Sequence, residues 1–357
     1  MQYRQTEVIC VDPVEPEPAV IERAAERLRA GQLVVFPTET VYGLGADALR
    51  PAAVEQIFVA KGRPLSDPLI VHIAHEDKLE SLVTEVSAQA RQLARAFWPG
   101  PLTLILPAGS CVPKLVTAGL STVAIRMPRH PVALALIRAA GFPIAAPSAN
   151  RFMHVSPTTA QHALVDLNGR VPLILDGGPC AVGVESTILD LCAEAPTILR
   201  PGGVSLEQLR TILPEVQPPP ERQHLQEEEA LIEEAQKSPG QLPVHYAPTV
   251  PAFLFEGSTE AMLRAMLAEV KSREEQGELV GVLVADEDVA AFQGCGACVY
   301  ALGNTAEQVA VRLFAGLRVL EEAGVQLILC RSFDKQGLGL AIRDRLLKAA
   351  GGKIIRV

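Results

Sequence analysis

Residues 31–45 read Gly31-Gln32-Leu33-Val34-Val35-Phe36-Pro37-Thr38-Glu39-Thr40-Val41-Tyr42-Gly43-Leu44-Gly45. Leu33–Phe36 is a short apolar run closed by a proline and followed at once by a polar loop with two glycines. Such a run, bounded by turn residues, predicts a buried strand. Before it, Val20, Ile21, Ala24, Ala25 and Leu28 share one helical face over 19–30, and Gly31 predicts the stop. Helix, buried strand and polar loop in succession set the α/β reading of the chain.

The same rhythm extends outward. Further strands are expected at Leu69–Ile73, Leu102–Leu106, Thr122–Ile125, Pro143–Ala146, Leu173–Leu175, Thr187–Leu191 and Thr197–Leu199. Helices are expected over 51–60, 77–97, 131–140 and 158–167, the last capped by Ser156-Pro157-Thr158. Segment 214–248 breaks the pattern with Pro218-Pro219-Pro220, five glutamates between Glu227 and Glu234, and Ser238-Pro239-Gly240. Prolines deny backbone hydrogen bonds and clustered glutamates stay solvated, so a linker is expected there, with Gln226–Lys237 as a short exposed helix. Beyond it come strands at Pro251–Phe255, Leu279–Val284, Ala297–Tyr300, Val325–Cys330 and Ile354–Val357, with helices over 259–273, 304–322 and 338–349. That alternation predicts βαβ units and a small Rossmann-like three-layer α/β/α domain. The expected division is 14–204, a linker 205–248 and a second domain 249–357.

Composition bounds the function. Of 357 residues, 48% are apolar and 20% charged, which supports packed cores. No apolar run reaches the ~18 residues of a membrane span, and the acidic first thirty residues do not suit a targeting peptide; a soluble cytoplasmic protein is expected. Residues 1–204 carry 17 Lys+Arg against 19 Asp+Glu, and 249–357 carry 12 against 14. Neither domain has the basic excess of a tight polyanion binder. Seven scattered cysteines are no disulfide framework, and Cys295/Cys298 lack the second pair of a metal site.

The motifs of common nucleotide sites are missing. There is no Walker loop, and Gly43-Leu44-Gly45-Ala46-Asp47-Ala48 fits a dinucleotide pattern whose helix is compromised by Pro51. What remains are polar residues where apolar strands end. Thr38, Glu39, Thr40 and Tyr42 lie in the loop after the first strand; Lys61-Gly62-Arg63 closes a helix; His72 lies between Val71 and Ile73. Arg126 ends a strand and needs an anion, which a structural carboxylate would equally supply. Pro147-Ser148-Ala149-Asn150, Ser186 and Arg200-Pro201-Gly202-Gly203 sit at further strand ends. Several cations, several hydroxyls and no evident nucleophile suit chemistry on a polyphosphate.

In order, these residues resemble the L-threonylcarbamoyladenylate synthases in their long form, a YrdC-like catalytic domain followed by a smaller one. The likeness runs through Phe36–Gly45, Ala60–Ile73, Trp98–Leu106, Thr122–Pro131, Ala145–Asn150, Val184–Leu189 and Leu199–Gly203. It resumes at His245-Tyr246-Ala247-Pro248 and Gly337-Leu338-Gly339-Leu340-Ala341-Ile342. The resemblance implies a YrdC/RibB-like open twisted sheet and a reaction in which L-threonine, bicarbonate or CO2 and ATP give threonylcarbamoyl-AMP, pyrophosphate and water. It implies threonine contacts at Thr40, His72, Arg126, Ala146 and Ser186. It implies ATP contacts at Arg63, Asp67, Thr122, Ser148, Ser156, Arg200 and Tyr246, with Lys61 and Asn150 in the signature pairs and Lys61 and Arg63 as the catalytic cations. Mg2+ would arrive with ATP, segment 238–248 would act as a lid, and the product would pass to a tRNA threonylcarbamoyltransferase without direct tRNA binding being required. Two departures stand out: Gln241–Val244 is uncharged where the family usually carries basic residues, and Asp67 replaces a common asparagine. The competing readings are an RNA-binding or regulatory YrdC-like protein and a carbamoyl-transfer enzyme of hydrogenase maturation, whose companion modules have no counterpart here.

Overall fold

The computed structural model describes residues 4–220, 236–240 and 245–357. The chain forms two units, one of residues 1–152 and 156–242, the other of 153–155 and 243–357.

The first unit is built on a ten-stranded mixed sheet. Its strands are β1 (Glu7–Cys10), β2 (Val34–Phe36), β3 (Gly43–Asp47), β4 (Ile70–His72), β5 (Leu102–Pro107), β6 (Thr122–Arg126), β7 (Ile144–Ala145), β8 (Leu173–Asp176), β9 (Thr187–Asp190) and β10 (Thr197–Arg200). Their spatial order is β1-β8-β2-β3-β7-β4-β6-β5-β9-β10. Alternation along each strand divides the core between the two faces. Val35, Leu44, Val71, Leu104 and Ile125 enter one cluster. Val34, Phe36, Ile144, Leu173 and Leu175 enter the other, under helices Pro18–Arg29 and Pro131–Ala140. Helix Pro18–Arg29 buries Ile21, Ala24, Ala25 and Leu28, the spacing of one helical face, and Gly31 follows at φ 78°.

Four expectations are corrected. The single helix over 77–97 is two, Leu79–Leu82 and Ala88–Phe97, because Val83 turns extended to bridge Ala108 and Ser87 caps the second helix on Ala90 N. The cap of helix Ala160–Leu167 is Thr159, one residue past the expected trio. The Gly43–Asp47 stretch is a strand and not a ligand loop: a Cβ on Gly45 would lie 2.8 Å from Phe36 and 2.9 Å from Ile144, so its glycine serves strand packing. Residues from 205 on, expected as linker, begin as ordered structure of the first unit: helix Leu206–Arg210 carries a capping box from Ser205, and Leu209, Leu213 and Val216 are buried. The expected helix 226–237 falls almost wholly outside the described residues.

The second unit holds a five-stranded, wholly parallel sheet of β11 (Ala252–Glu256), β12 (Val280–Val284), β13 (Cys298–Ala301), β14 (Leu327–Arg331) and β15 (Ile354–Arg356), in the order β13-β12-β14-β11-β15. Helices Thr259–Glu274, Ala306–Glu322 and Gly339–Ala349 are its crossovers, as the Rossmann-like expectation requires. Met262, Met266 and Val270 pack on Val280, Val282, Leu327 and Leu329. Residues Met153–Val155 belong to this unit: Arg318 donates to Val155 O, Ala247 N to Met153 O, and His154 pairs with Glu321 at 3.2 Å. All seven cysteines are free thiols. Among the described residues no helix is long and apolar enough to cross a membrane.

Candidate active site

Sheet register in the first unit lines up one polar row. His72 on β4 pairs with Ile144 and Arg126, Arg126 on β6 pairs with Thr103, and Thr103 on β5 pairs with Ile188. Directly paired residues share a face, so His72, Arg126 and Thr103 stand side by side. Two residues along the strands the same face turns apolar with Ile70, Ala124 and Ile105, clustered with Ile188 and half-buried Leu199. The row continues through side chains: Thr103 Oγ1 lies 2.7 Å from Ser186 Oγ, and the Arg200 guanidinium donates to Ser186 O and, at 3.2 Å, to its hydroxyl.

Arg126 is fixed from three sides. Nη1 donates to Thr40 Oγ1 at 2.9 Å, Nε to Gly100 O at 3.3 Å, and Nη2 stands 2.8 Å from Glu39 Oε1. The carboxylate partner that the sequence left open therefore exists, and it is Glu39. Thr38 Oγ1 lies 2.8 Å from Thr40 Oγ1 and donates to Val41 O, stiffening the loop. Burial and the Arg126 charge push His72 down to about 3, so its ring is neutral, with Nδ1 3.2 Å from Ile70 O. Ala146, just past β7, donates its N–H to Ile70 O at 2.9 Å.

A second cluster of cations begins where helix Pro51–Lys61 ends. Gly62 takes φ 67° and stops the helix, leaving Lys61 in its last turn and Arg63 just beyond. The buried Lys61 ammonium donates to Ser148 O at 2.7 Å and to Asn150 O, while Phe152 N donates to Lys61 O. Burial, seconded by Arg63, holds Lys61 well below the ordinary lysine range. Arg63 pairs with Asp67 at 2.9 Å and donates to the carbonyls of Asp67 and Pro68. Burial raises Asp67 against the opposing pull of Arg63, Lys61 and Arg200. The chain end before the second unit returns to this cluster, with Gln236 N donating to Ser66 O at 3.0 Å and Ser238 buried.

The structure thus joins Thr40, Arg126, His72 and Ser186 in one row, and Lys61, Ser148 and Asn150 in one grip, with Arg63 and Asp67 beside it. Arg200 is bonded to the Ser186 end of the row and its charge reaches Asp67 of the cluster. Ala146 is tied to the row through Ile70. Thr122 stands half-buried at the far end of β6, on the Arg126 face with Ala124 between them. Ser156 donates to Glu185 Oε1 at 2.6 Å. Tyr246 belongs to the second unit, buried at φ 60°, its ring centroid 5.5 Å from that of Phe314 and 4.9 Å from the Arg345 guanidinium carbon. The sequence reading named Glu39 in the polar loop beside Thr40 but gave it no role at the site.

Comparison with known proteins also gives two parts, with the boundary at 202–204, ahead of the helix Leu206–Arg210 that packs in the first unit. Residues 26–202 match the family described as "Telomere recombination", and residues 204–351 match the C-terminal domain of threonylcarbamoyl-AMP synthase. The chain is 44% identical to the threonylcarbamoyl-AMP synthase of Pyrococcus abyssi, covering 94% of this chain and 96% of that one. It is 44% identical to the Bacillus subtilis threonylcarbamoyl-AMP synthase over the full length of both. The shorter Vibrio cholerae threonylcarbamoyl-AMP synthase is 33% identical and matches 51% of this chain over 97% of its own length. The crystal structure of a Pyrococcus abyssi relative complexed with L-threonine superposes with a TM-score of 0.91 at 42% identity, covering 99% of this chain and all of that one.

Proposed function

The chain belongs to the threonylcarbamoyl-AMP synthase family, and from that premise we propose that its Arg126 row holds L-threonine while its Lys61–Arg63–Arg200 cluster holds ATP. The reaction is that of the family: L-threonine, bicarbonate or CO2 and ATP give threonylcarbamoyl-AMP, pyrophosphate and water. The observation that carries the division of labour is the row itself, one guanidinium flanked by a neutral imidazole and hydroxyls, next to a separate cluster of buried cations.

Arg126 offers a planar fork to the amino-acid carboxylate. Neutral His72 and the Ser186 hydroxyl hydrogen-bond the threonine side chain, and a site built for that hydroxyl rejects valine more strongly than serine, which lacks only a methyl group. At the other cluster, triphosphate oxygens would oppose the effect of burial on Lys61 and favour its ammonium form. Lys61, Arg63 and Arg200 then neutralise the negative charge as the carbamate oxygen attacks the α-phosphorus and pyrophosphate departs, so catalysis rests on position and fixed charge. Among the described residues no three His, Cys, Asp or Glu side chains converge as metal ligands. Mg2+ would enter on the nucleotide, held by phosphate oxygens and water, where it would screen phosphate charge. Closure of the 238–248 segment, of which 241–244 lie outside the described residues, over the nucleotide would shield a water-labile carbamate. Hand-over of the product to a tRNA threonylcarbamoyltransferase in the cytoplasm completes the proposal.

Pyrophosphate release from ATP by the purified protein, with threonine and bicarbonate omitted in turn, tests the reading. Release is expected only with both present; release indifferent to threonine overturns it. A fragment ending at Pro220, which keeps the buried Leu209, Leu213 and Val216, is expected to stay folded and lose most of this activity, whereas full activity would rule out the lid.

A further inference from the structure

We infer that Glu39 receives the ammonium group of the amino-acid substrate, so that Arg126 and Glu39 together recognise a zwitterion. The inference rests on the threonine reading of the Arg126 row. Glu39 is 4% exposed, and its carboxylate meets Arg126 Nη2 at 2.8 Å. Among the described residues neither of its oxygens has a hydrogen bond of good geometry, and neither does Arg126 Nη2. Buried carboxylates are ordinarily saturated with hydrogen bonds, having about four lone-pair sites to fill. Here one side faces Arg126 and the rest of that capacity is open. Its charge also reaches His130 and Cys180 among the described residues, and neither is an anchoring cation.

The pair also solves a problem of charge. A substrate carboxylate that took over the Arg126 guanidinium would weaken its hold on Glu39 and strand a buried anion, which is strongly unfavourable. An α-amino acid brings the remedy with it, because its ammonium sits one carbon from its carboxylate. Binding then exchanges one buried ion pair for two, and no charge is left without a partner. A carboxylate ligand without the amine gains the guanidinium and leaves Glu39 bare. Glu39 is therefore a specificity residue: it makes the site accept amino acids and refuse other small acids, and it points the nitrogen that must be carboxylated.

Calorimetric titration of the full-length protein, without bicarbonate, separates this from a merely structural role. The ligands are L-threonine and the matching 2,3-dihydroxybutanoate, in which a hydroxyl replaces the ammonium. The native protein is expected to favour threonine by about 100-fold or more. Glu39→Gln is expected to weaken threonine by about 30-fold and the hydroxy acid by less than about threefold, collapsing the ratio. Glu39→Asp, which keeps the charge on a shorter arm, falls between them. Binding of a non-hydrolysable ATP analogue, unchanged within about twofold, reports that each variant is folded. If the native protein binds threonine and either variant keeps the full native ratio, the inference is overturned. If the native protein binds no threonine, the amino-acid reading of the site fails and takes the inference with it.

Discussion

The two units bury charge in opposite ways. In the second, Asp344 accepts hydrogen bonds from both Arg345 and Lys348, Arg331 is bonded to Asp288, and Arg343 meets Glu256 at 2.7 Å. Burial pushes Asp344 up, yet Lys348 and Arg345 outweigh it and its carboxyl ends below the usual range. In the first, Asp67 has three cations in reach and still ends above that range, because burial wins and its oxygens have no hydrogen bond of good geometry among the described residues. The oxygens of Glu39 likewise have no hydrogen bond of good geometry among the described residues. Burial of charge is thus no sign of function by itself. The second unit pairs the buried carboxylates Asp288 and Asp344 with hydrogen-bonded cations; the first leaves two carboxylates under-bonded beside cations that a substrate can claim.

The strongest way to break this contrast is Arg126→Ala. It is expected to lower threonine-dependent pyrophosphate release by about a thousandfold. By stranding Glu39 it should also cost about 3–5 kcal/mol of stability in denaturant unfolding. Adding Glu39→Gln should return most of the stability and none of the activity. Lys61→Ala comes next, with release down about a hundredfold and threonine affinity within about threefold, since its grip lies in the cluster proposed for the nucleotide. Arg331→Ala tests the other unit: it should cost about 3 kcal/mol by stranding Asp288, while kcat/KM per folded molecule stays within about twofold. A loss of activity as large as that of Lys61→Ala would erase the distinction.

The smallest effect is a slope. His72 titrates near 3 in the folded chain against 6.5 when exposed, so between those values the unfolded chain takes up a proton that the native one refuses. Stability is therefore complete above 6.5 and falls as pH drops toward 3. Thermal unfolding of His72→Asn should show a shallower decline across that window, and an unchanged slope would place the acid sensitivity elsewhere.

Legibility in the sequence follows the same physics. The second unit was readable nearly strand by strand, because strands of a parallel sheet are covered on both faces and appear as unbroken apolar runs. Val280–Val284 and Leu327–Arg331 are wholly buried; the first falls within a predicted strand and the second overruns one only by Arg331. The mixed sheet hid more. The edge strand Glu7–Cys10 leaves most of its side chains in water, so nothing in its pattern announced burial. Gly43–Asp47 looked like a loop because its glycines answer a demand of the neighbouring strands, Phe36 on one side and Ile144 on the other. Val83 broke a helix for a bridge to Ala108, a partner 25 residues away that local propensity does not register. At the site, Arg126 and His72 were legible as polar residues in apolar runs. Their coincidence in one register, and Glu39 as the counter-ion, depend on which strands become neighbours.

The hold on Lys61 has a further consequence. Its ammonium is gripped by the carbonyl oxygens of residues 148 and 150, atoms that every amino acid carries. Replacing Ser148 would leave its part of the grip in place. Lys61 and residue 148 therefore place almost no demand on each other's identity, and across relatives they should drift or persist independently. Methods that infer contact from paired substitutions would pass over one of the shortest polar contacts in the site, since heredity records side chains and this bond is made by the thread that carries them.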